Sequence, residues 1–233
     1  MKIGILCAGN REVVPFLEEM HDPVTTEKAM LKFYEGKLGS MDIVTLYSGV
    51  CKVNAAIAAQ ILIDTFRVDC IINAGVAGGI DPMLNLFDTV IATECVYHDV
   101  APDILTEFHP WMDSVFFKAD EKLLDAAKIA VERLNMHDKI HFGRMATGEA
   151  FITDEGRQEI ISGFSPLTVD METAAVAHVC YVNNVPFIAI RSITDTAEHS
   201  GIGNFEENCA KAAEIAKDIT VELLRVLAED CAK

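Results

Sequence analysis

Short apolar runs alternate with amphipathic stretches along the whole chain. Lys2 to Ala8 is almost uniformly apolar and predicts a buried strand, while Arg11 to Met20 puts Val13, Val14 and Leu17 on one helical face. Leu31 to Gly36 and Asp42 to Tyr47, joined through Leu38-Gly39-Ser40, read as a hairpin. The alanine-rich Val53 to Phe66 reads as a helix, Cys70 to Asn73 as a strand, Gly75 to Gly79 as a glycine turn and Thr89 to Tyr97 as a further strand. Helical periodicity returns over Asp120 to Leu134, Asp154 to Ser162, Glu172 to Tyr181 and Phe205 to Leu227. Strands are predicted between these helices at Ile140 to Ala146, Leu167 to Val169 and Phe187 to Ile193. Between His98 and Phe117 the chain is irregular, with Pro102, His109, Pro110 and Trp111. A loop of that length ordinarily covers a site or meets a partner subunit.

Strands alternating with helices predict an α/β fold: a single three-layer domain over residues 1–233, with a mixed, strongly twisted central sheet flanked by helices. Half of the 233 residues are apolar, enough for one large core. A net charge of -17 excludes nucleic acid and anionic membrane surfaces as natural partners, since both are bound through basic surfaces. The seven cysteines are odd in number and form no CxxC pair, so they read as reduced core thiols of a cytoplasmic protein. The apolar start is too short for a secretory signal, and no stretch reaches the roughly 18 apolar residues of a membrane span.

In open α/β sheets ligands bind beyond the carboxyl ends of the strands, so polar residues there come first. Glu12 follows the first strand; Asp170, Met171 and Glu172 follow Leu167 to Val169; Thr194 and Asp195 follow Phe187 to Ile193. Carboxylates gathered at one rim repel one another and lose hydration, which keeps at least one of them protonated near neutral pH. Glycosidic cleavage needs that division of labour: an acid for the leaving group, a base for water, and negative charge near an oxocarbenium-like transition state. Each acid taken alone is better explained as a helix cap or a solvated side chain; together they are more suggestive.

The segments MKIGILCAGNREV, SGVCKVNAA, NAGVAGG, VYHD, TGEAFI, VDMETAAVAHVC and VPFIAIRSITDTA, in order over nearly the whole chain, resemble the methylthioadenosine/S-adenosylhomocysteine nucleosidase family. VDMETAA with RSITD is shared by the wider nucleoside phosphorylase superfamily, whereas TGEAFI and AHVC favour the nucleosidase branch. The resemblance implies hydrolysis of an adenine nucleoside carrying a 5′ thioether, without cofactor or metal, by a homodimer whose His98 to Phe117 loop reaches the partner's site. It implies that Glu12 activates water and that Asp195 protonates purine nitrogen 7. Phe151 would stack on the base, the main chain of Ile152 would read its Watson-Crick edge, and Glu172 would hold the ribose hydroxyls. Met171 would pack on the sugar, Phe205 would close the site near the 5′ substituent, and Arg191 would support the neighbourhood of the acid. Thr194, Val50 and Val76 complete the substrate-binding set that the resemblance implies.

The chain departs from the family pattern at two places. Val76 stands where a serine or threonine is usual, which removes a hydroxyl expected near the water or sugar. Ala8-Gly9-Asn10-Arg11-Glu12 replaces Ala-Met-Glu-Glu-Glu, which removes an apolar contact and sets Arg11 beside the expected base. An arginine there suits phosphate, as in a phosphorolytic purine nucleoside phosphorylase, whereas Glu12 in the same pocket would repel that anion. A non-catalytic module that binds adenine nucleosides is the other alternative. A dinucleotide-binding oxidoreductase is not supported, because Gly75-Val76-Ala77-Gly78-Gly79 lacks GxGxxG spacing. His98-Asp99 and His178-Val179-Cys180 lack the spacing of zinc ligands.

Overall fold

The structure, a computed structural model, describes residues 1–101, 103–153 and 155–231. Pro102, in the irregular stretch, and Asp154, where a helix is predicted to begin, lie outside the described residues. The chain runs β1 (Lys2–Cys7), α1 (Asn10–Glu19), β2 (His21–Lys28), β3 (Leu31–Leu38), β4 (Met41–Tyr47), α2 (Lys52–Asp64), β5 (Cys70–Gly79) and β6 (Thr89–Tyr97). It continues with α3 (Ile104–Glu107), β7 (Phe117–Lys118), α4 (Glu121–Leu134), β8 (Ile140–Thr147), α5 (Arg157–Phe164), β9 (Thr168–Asp170), α6 (Thr173–Asn183), β10 (Phe187–Asp195) and α7 (Ile202–Cys231).

All the strands join in one mixed sheet. β1 lies parallel between β4 and β5, and β4, β3 and β2 extend the sheet as an antiparallel ribbon. Beyond β5 the pairing runs to β10, β6, β8 and β9, and β9 returns to β5. The predicted twisted sheet is therefore half an open sheet and half a closed barrel. Strand twist, sharpened by irregularities at Ala92/Glu94 and Ile193/Asp195, brings the ends of that half together.

Alternation along the strands sets the layers. Ile3, Ile5 and Cys7 pack toward α1, α4 and α7, while Leu6 packs toward α2 and α6 on the other face. Alanines at 55, 58 and 59 of α2 and at 174, 175 and 177 of α6 are buried in that second layer and keep it thin. Local signals fix the helix ends. The Asp120 side chain accepts from the main-chain nitrogens of Lys122 and Leu123 at 3.0 Å, and Asn135 closes α4 in the left-handed region at φ 52°.

Four expectations need correction. Gly75 to Gly79 is not a turn, for β5 runs straight through it. Its glycines make room instead: a Cβ at Gly75 would collide with the Glu12 carboxylate, and one at Gly78 would lie 3.1 Å from Asp195 Oδ2. β2 was not predicted, because as an edge strand it is exposed at every position but the half-buried Thr26 and shows no apolar alternation. α5 begins at Arg157 and α7 at Ile202, shifted from the predicted starts at 154 and 205. The irregular stretch contains α3 and the start of β7.

Candidate active site

The carboxyl ends of β1, β9 and β10 and the glycine-rich end of β5 open on a cavity of about 530 Å³. Glu12, Glu172 and Asp195 lie on its wall, together with Thr194, Met171 and Val76. Phe151, Ile152, Val50 and Phe205 line its outer part, and the rings of Phe151 and Phe205 meet edge to face at 6.1 Å. Arg191 alone of the expected residues does not line the cavity. It is wholly buried behind the wall.

Glu12 is held by the turn that ends β1 and starts α1. Its Oε2 accepts from the main-chain nitrogens of Ala8 and Gly9 at 2.7 and 2.6 Å, and its Oε1 from Val76 N at 2.7 Å. Three N–H groups thus stand in for water around a carboxylate only 3% exposed. The contact from residue 76 is main chain, while the Val76 side chain packs with Cys209, Ala212 and Ala213. The hydroxyl missing at position 76 therefore takes nothing from the bonds that hold Glu12.

Arg191 is the hub of the wall. Its Nη1 lies 3.5 Å from Glu12 Oε1, its Nε 3.6 Å from Asp170 Oδ2 and its Nη2 3.6 Å from Glu172 Oε2. Shorter bonds run to neutral groups: Asn73 Oδ1 at 2.8 Å, Thr173 Oγ1 at 3.1 Å and the Val76 carbonyl at 3.2 Å. Burial opposes the guanidinium charge, but Asp170, Glu12 and Glu172 outweigh it and raise the pKa. One cation among three buried carboxylates leaves two negative charges uncompensated. Asp170 accepts from Thr147 Oγ1 at 2.7 Å, from the main-chain nitrogens of Glu172 and Thr173 at 3.1 and 3.0 Å, and from the Thr173 hydroxyl. Glu172 accepts one main-chain bond, from Cys51 N at 2.9 Å. The excess falls on Glu172, whose pKa burial raises to about 7 against the pull of Arg191, with Asp170 and Glu12 adding repulsion.

Asp195 is delivered separately, by an irregularity in β10. Ile193 faces Ala77 and Asp195 faces Gly78, so Thr194 is an extra residue that re-aims the strand end. The Thr194 hydroxyl donates to Asp195 Oδ1 at 2.7 Å. Burial raises the Asp195 pKa, with the Thr194 bond and the charge of Arg157 working the other way.

Sequence reasoning did not give Asn73, Thr147 or Thr173 a role, although these buried groups, with Asp170, hold Arg191 and the start of α6. A signal existed for Asn73, a polar residue ending an otherwise apolar strand run. Ile202 was missed on the cavity wall because α7 begins earlier than its periodicity indicated, and Cys209 because it read as a core thiol of that helix. Arg11 is exposed at the cavity rim, and its Nη1 donates to the Glu206 carbonyl of α7 at 3.2 Å. Lys52 is engaged with both Asp99 oxygens, at 2.8 and 2.9 Å. Its ammonium also lies over the Tyr97 ring. His178 packs in the core, its ring stacked on Phe117 at 5.0 Å.

Residues 2–225, which include the strands of this half-barrel and the three acids on its cavity, match the family model of the phosphorylase superfamily. Two curated relatives are 5′-methylthioadenosine/S-adenosylhomocysteine nucleosidases. The one from Exiguobacterium sp. is 40% identical over 89% of this chain and 90% of its own length, and that from Staphylococcus carnosus 34% identical over 97% and 100%. The solved nucleosidase of Colwellia psychrerythraea, in complex with adenine, superposes with a TM-score of 0.89 at 36% identity, covering 97% of this chain and 96% of that one. The chain belongs to the methylthioadenosine/S-adenosylhomocysteine nucleosidase family of that superfamily.

Proposed function

We propose that this protein hydrolyses the N-glycosidic bond of 5′-methylthioadenosine and S-adenosylhomocysteine, releasing adenine and the thioether sugar. The observation that carries the reading is the placing of Glu12, Glu172 and Asp195, from three separate strand ends, on the wall of one cavity of about 530 Å³. The names and complexes of the relatives support the substrate class.

The base sits between Phe151 and the Asp195 end of the cavity, with its Watson-Crick edge toward the main chain of Ile152. Asp195, whose pKa burial raises above the ordinary carboxylate value, gives a proton to nitrogen 7, so that adenine leaves neutral. Glu172 holds the ribose hydroxyls and Met171 covers the sugar. Water is activated by Glu12, whose Oε2 is filled by two N–H groups. It approaches Oε1, where Arg191 at 3.5 Å is too long for a strong charge-assisted bond. Arg191 acts from behind the wall by holding Glu12 and Glu172 apart. No cofactor enters these steps.

Hydrolysis is favoured over phosphorolysis by the cations near Glu12. Arg191 is buried behind the wall and tied to neutral partners, Lys52 is engaged with Asp99, and Arg11 stands at the rim, bonded to the Glu206 carbonyl of α7. None of them makes a phosphate cradle beside the sugar.

The protein acts as a single domain and as a homodimer in the cytoplasm. Val53, Ile57, Phe108 and Trp111 are exposed by 68, 44, 59 and 66%, and with exposed Val50 they mark the apolar face on which a second copy packs, the 98–117 loop reaching its cavity. No helix among the described residues is long and apolar enough to cross a membrane.

The test is ultraviolet detection of adenine release from both nucleosides. Turnover of both is expected; tight binding of both without release of adenine would replace the enzyme with a nucleoside-binding module.

A further inference from the structure

The mouth of the cavity carries a pair of charges that bond cleavage does not use. Among the described residues on the cavity wall Arg11 is the only basic side chain, whereas Glu12, Asp170, Glu172, Asp195 and Glu206 are all acidic. Arg11 reaches from α1 to α7, where its Nη1 donates to the main-chain oxygen of Glu206 at 3.2 Å, and both residues are exposed. With the base held by Phe151 and Asp195 and the ribose by Glu172, the 5′ end of the nucleoside points toward this rim. The wall there is open: a Cβ added at Gly9 would meet only Glu12 Oε2, at 3.6 Å.

We infer that Arg11 and Glu206 recognise the amino-acid end of a homocysteinyl 5′ substituent, so that the protein discriminates in favour of S-adenosylhomocysteine over neutral 5′ thioethers. The inference rests on the nucleosidase reading and names the specificity residues of that same site. A guanidinium has five N–H donors in a fork that fits a carboxylate, and the Glu206 carbonyl together with the Cys209 thiol does not occupy them all. The Glu206 carboxylate on the same rim is complementary to the ammonium of the same amino acid. Without Arg11 a carboxylate would enter a cavity lined by acids alone, on a chain of net charge -17. The pair therefore offers a zwitterion what a methylthio group cannot use.

The experiment compares kcat/KM for S-adenosylhomocysteine with that for 5′-butylthioadenosine, a thioether of similar reach without charges, in the wild type, Arg11→Gln, Arg11→Glu and Glu206→Gln. The ratio of the two values should fall about fivefold to tenfold in Arg11→Gln, further in Arg11→Glu, and should decline with added salt in the wild type, as a solvent-exposed ionic contact does. A wild type that cleaves both nucleosides while all the variants keep the ratio within about twofold would overturn this inference and leave the nucleosidase reading standing. A wild type that cleaves neither would overturn that reading and the inference with it.

Discussion

Asp195→Asn separates proton donation from everything else that Asp195 does. The carboxyl is 2% exposed, so the amide must fit the same space, and it does so as an isostere. Its Oδ1 still accepts from the Thr194 hydroxyl, a bond of 2.7 Å in the acid. Its Nδ2 then occupies the position of Oδ2, next to Gly78, and offers an N–H to the base without giving up a proton. Nucleoside affinity should therefore stay within about tenfold, or about 1.4 kcal/mol. A positioned general acid contributes about 10²- to 10⁴-fold, so kcat should fall by about a thousandfold, equivalent to about 4 kcal/mol of barrier. Stability supplies an independent check on folding. An acid whose folded pKa is raised contributes stability that is fully present below its unfolded pKa and is lost as pH rises through the folded value. The amide lacks this loss, so above that window the variant should melt at or above the wild-type temperature. The assay is adenine release by ultraviolet absorbance, with nucleoside binding by calorimetry and melting followed against pH. Wild-type kcat in a folded Asp195→Asn protein would refute Asp195 as the acid.

Three other changes probe the wall. Glu172→Gln keeps an acceptor for Cys51 N but loses the charge at the sugar, so binding and turnover should both weaken. Because the Glu172 pKa is raised to about 7, the wild type loses stability as pH rises from about 4.5 to 7, and the variant, measured by melting across that range, should not. Arg191→Met leaves three buried carboxylates without their cation and should cost about 3–5 kcal/mol of unfolding free energy in denaturant titrations. Val76→Ser should change kcat/KM by less than about threefold, since residue 76 serves Glu12 through its main chain. It should lower stability by about 1 kcal/mol, because the hydroxyl enters the apolar cluster around Cys209.

Local pattern carried much of the fold. β6 begins and ends where alternation and turn signals put it, at Thr89 and Tyr97, and β10 is buried at every position, as its apolar run indicated. What was not legible depends on partners distant in sequence. Closure of the barrel rests on β9 meeting β5, Val169 opposite Gly78, and no window of sequence contains both. β2 has no inward face to leave an apolar imprint. The cavity-lining acids were visible as residues after strand ends, but their convergence was not. Arg191 sits within an apolar run, where pattern alone reads it as an interruption and only the family resemblance gave it a role. Its role depends on Asn73, 118 positions away, and Glu12, 179 away. Val76 shows the opposite error: a departure in side chain drew notice although the group in use is the backbone, which sequence comparison does not register.

The central claim is that water, activated by Glu12, takes the sugar. The direct measurement is incubation with methylthioadenosine, with and without inorganic phosphate, and identification of the sugar product by mass. Free methylthioribose at the same rate in both mixtures is the expected result and makes the carboxylate wall a hydrolase site. A methylthioribose 1-phosphate that forms only with phosphate would contradict it, and would hand the role given to Glu12 to a bound anion.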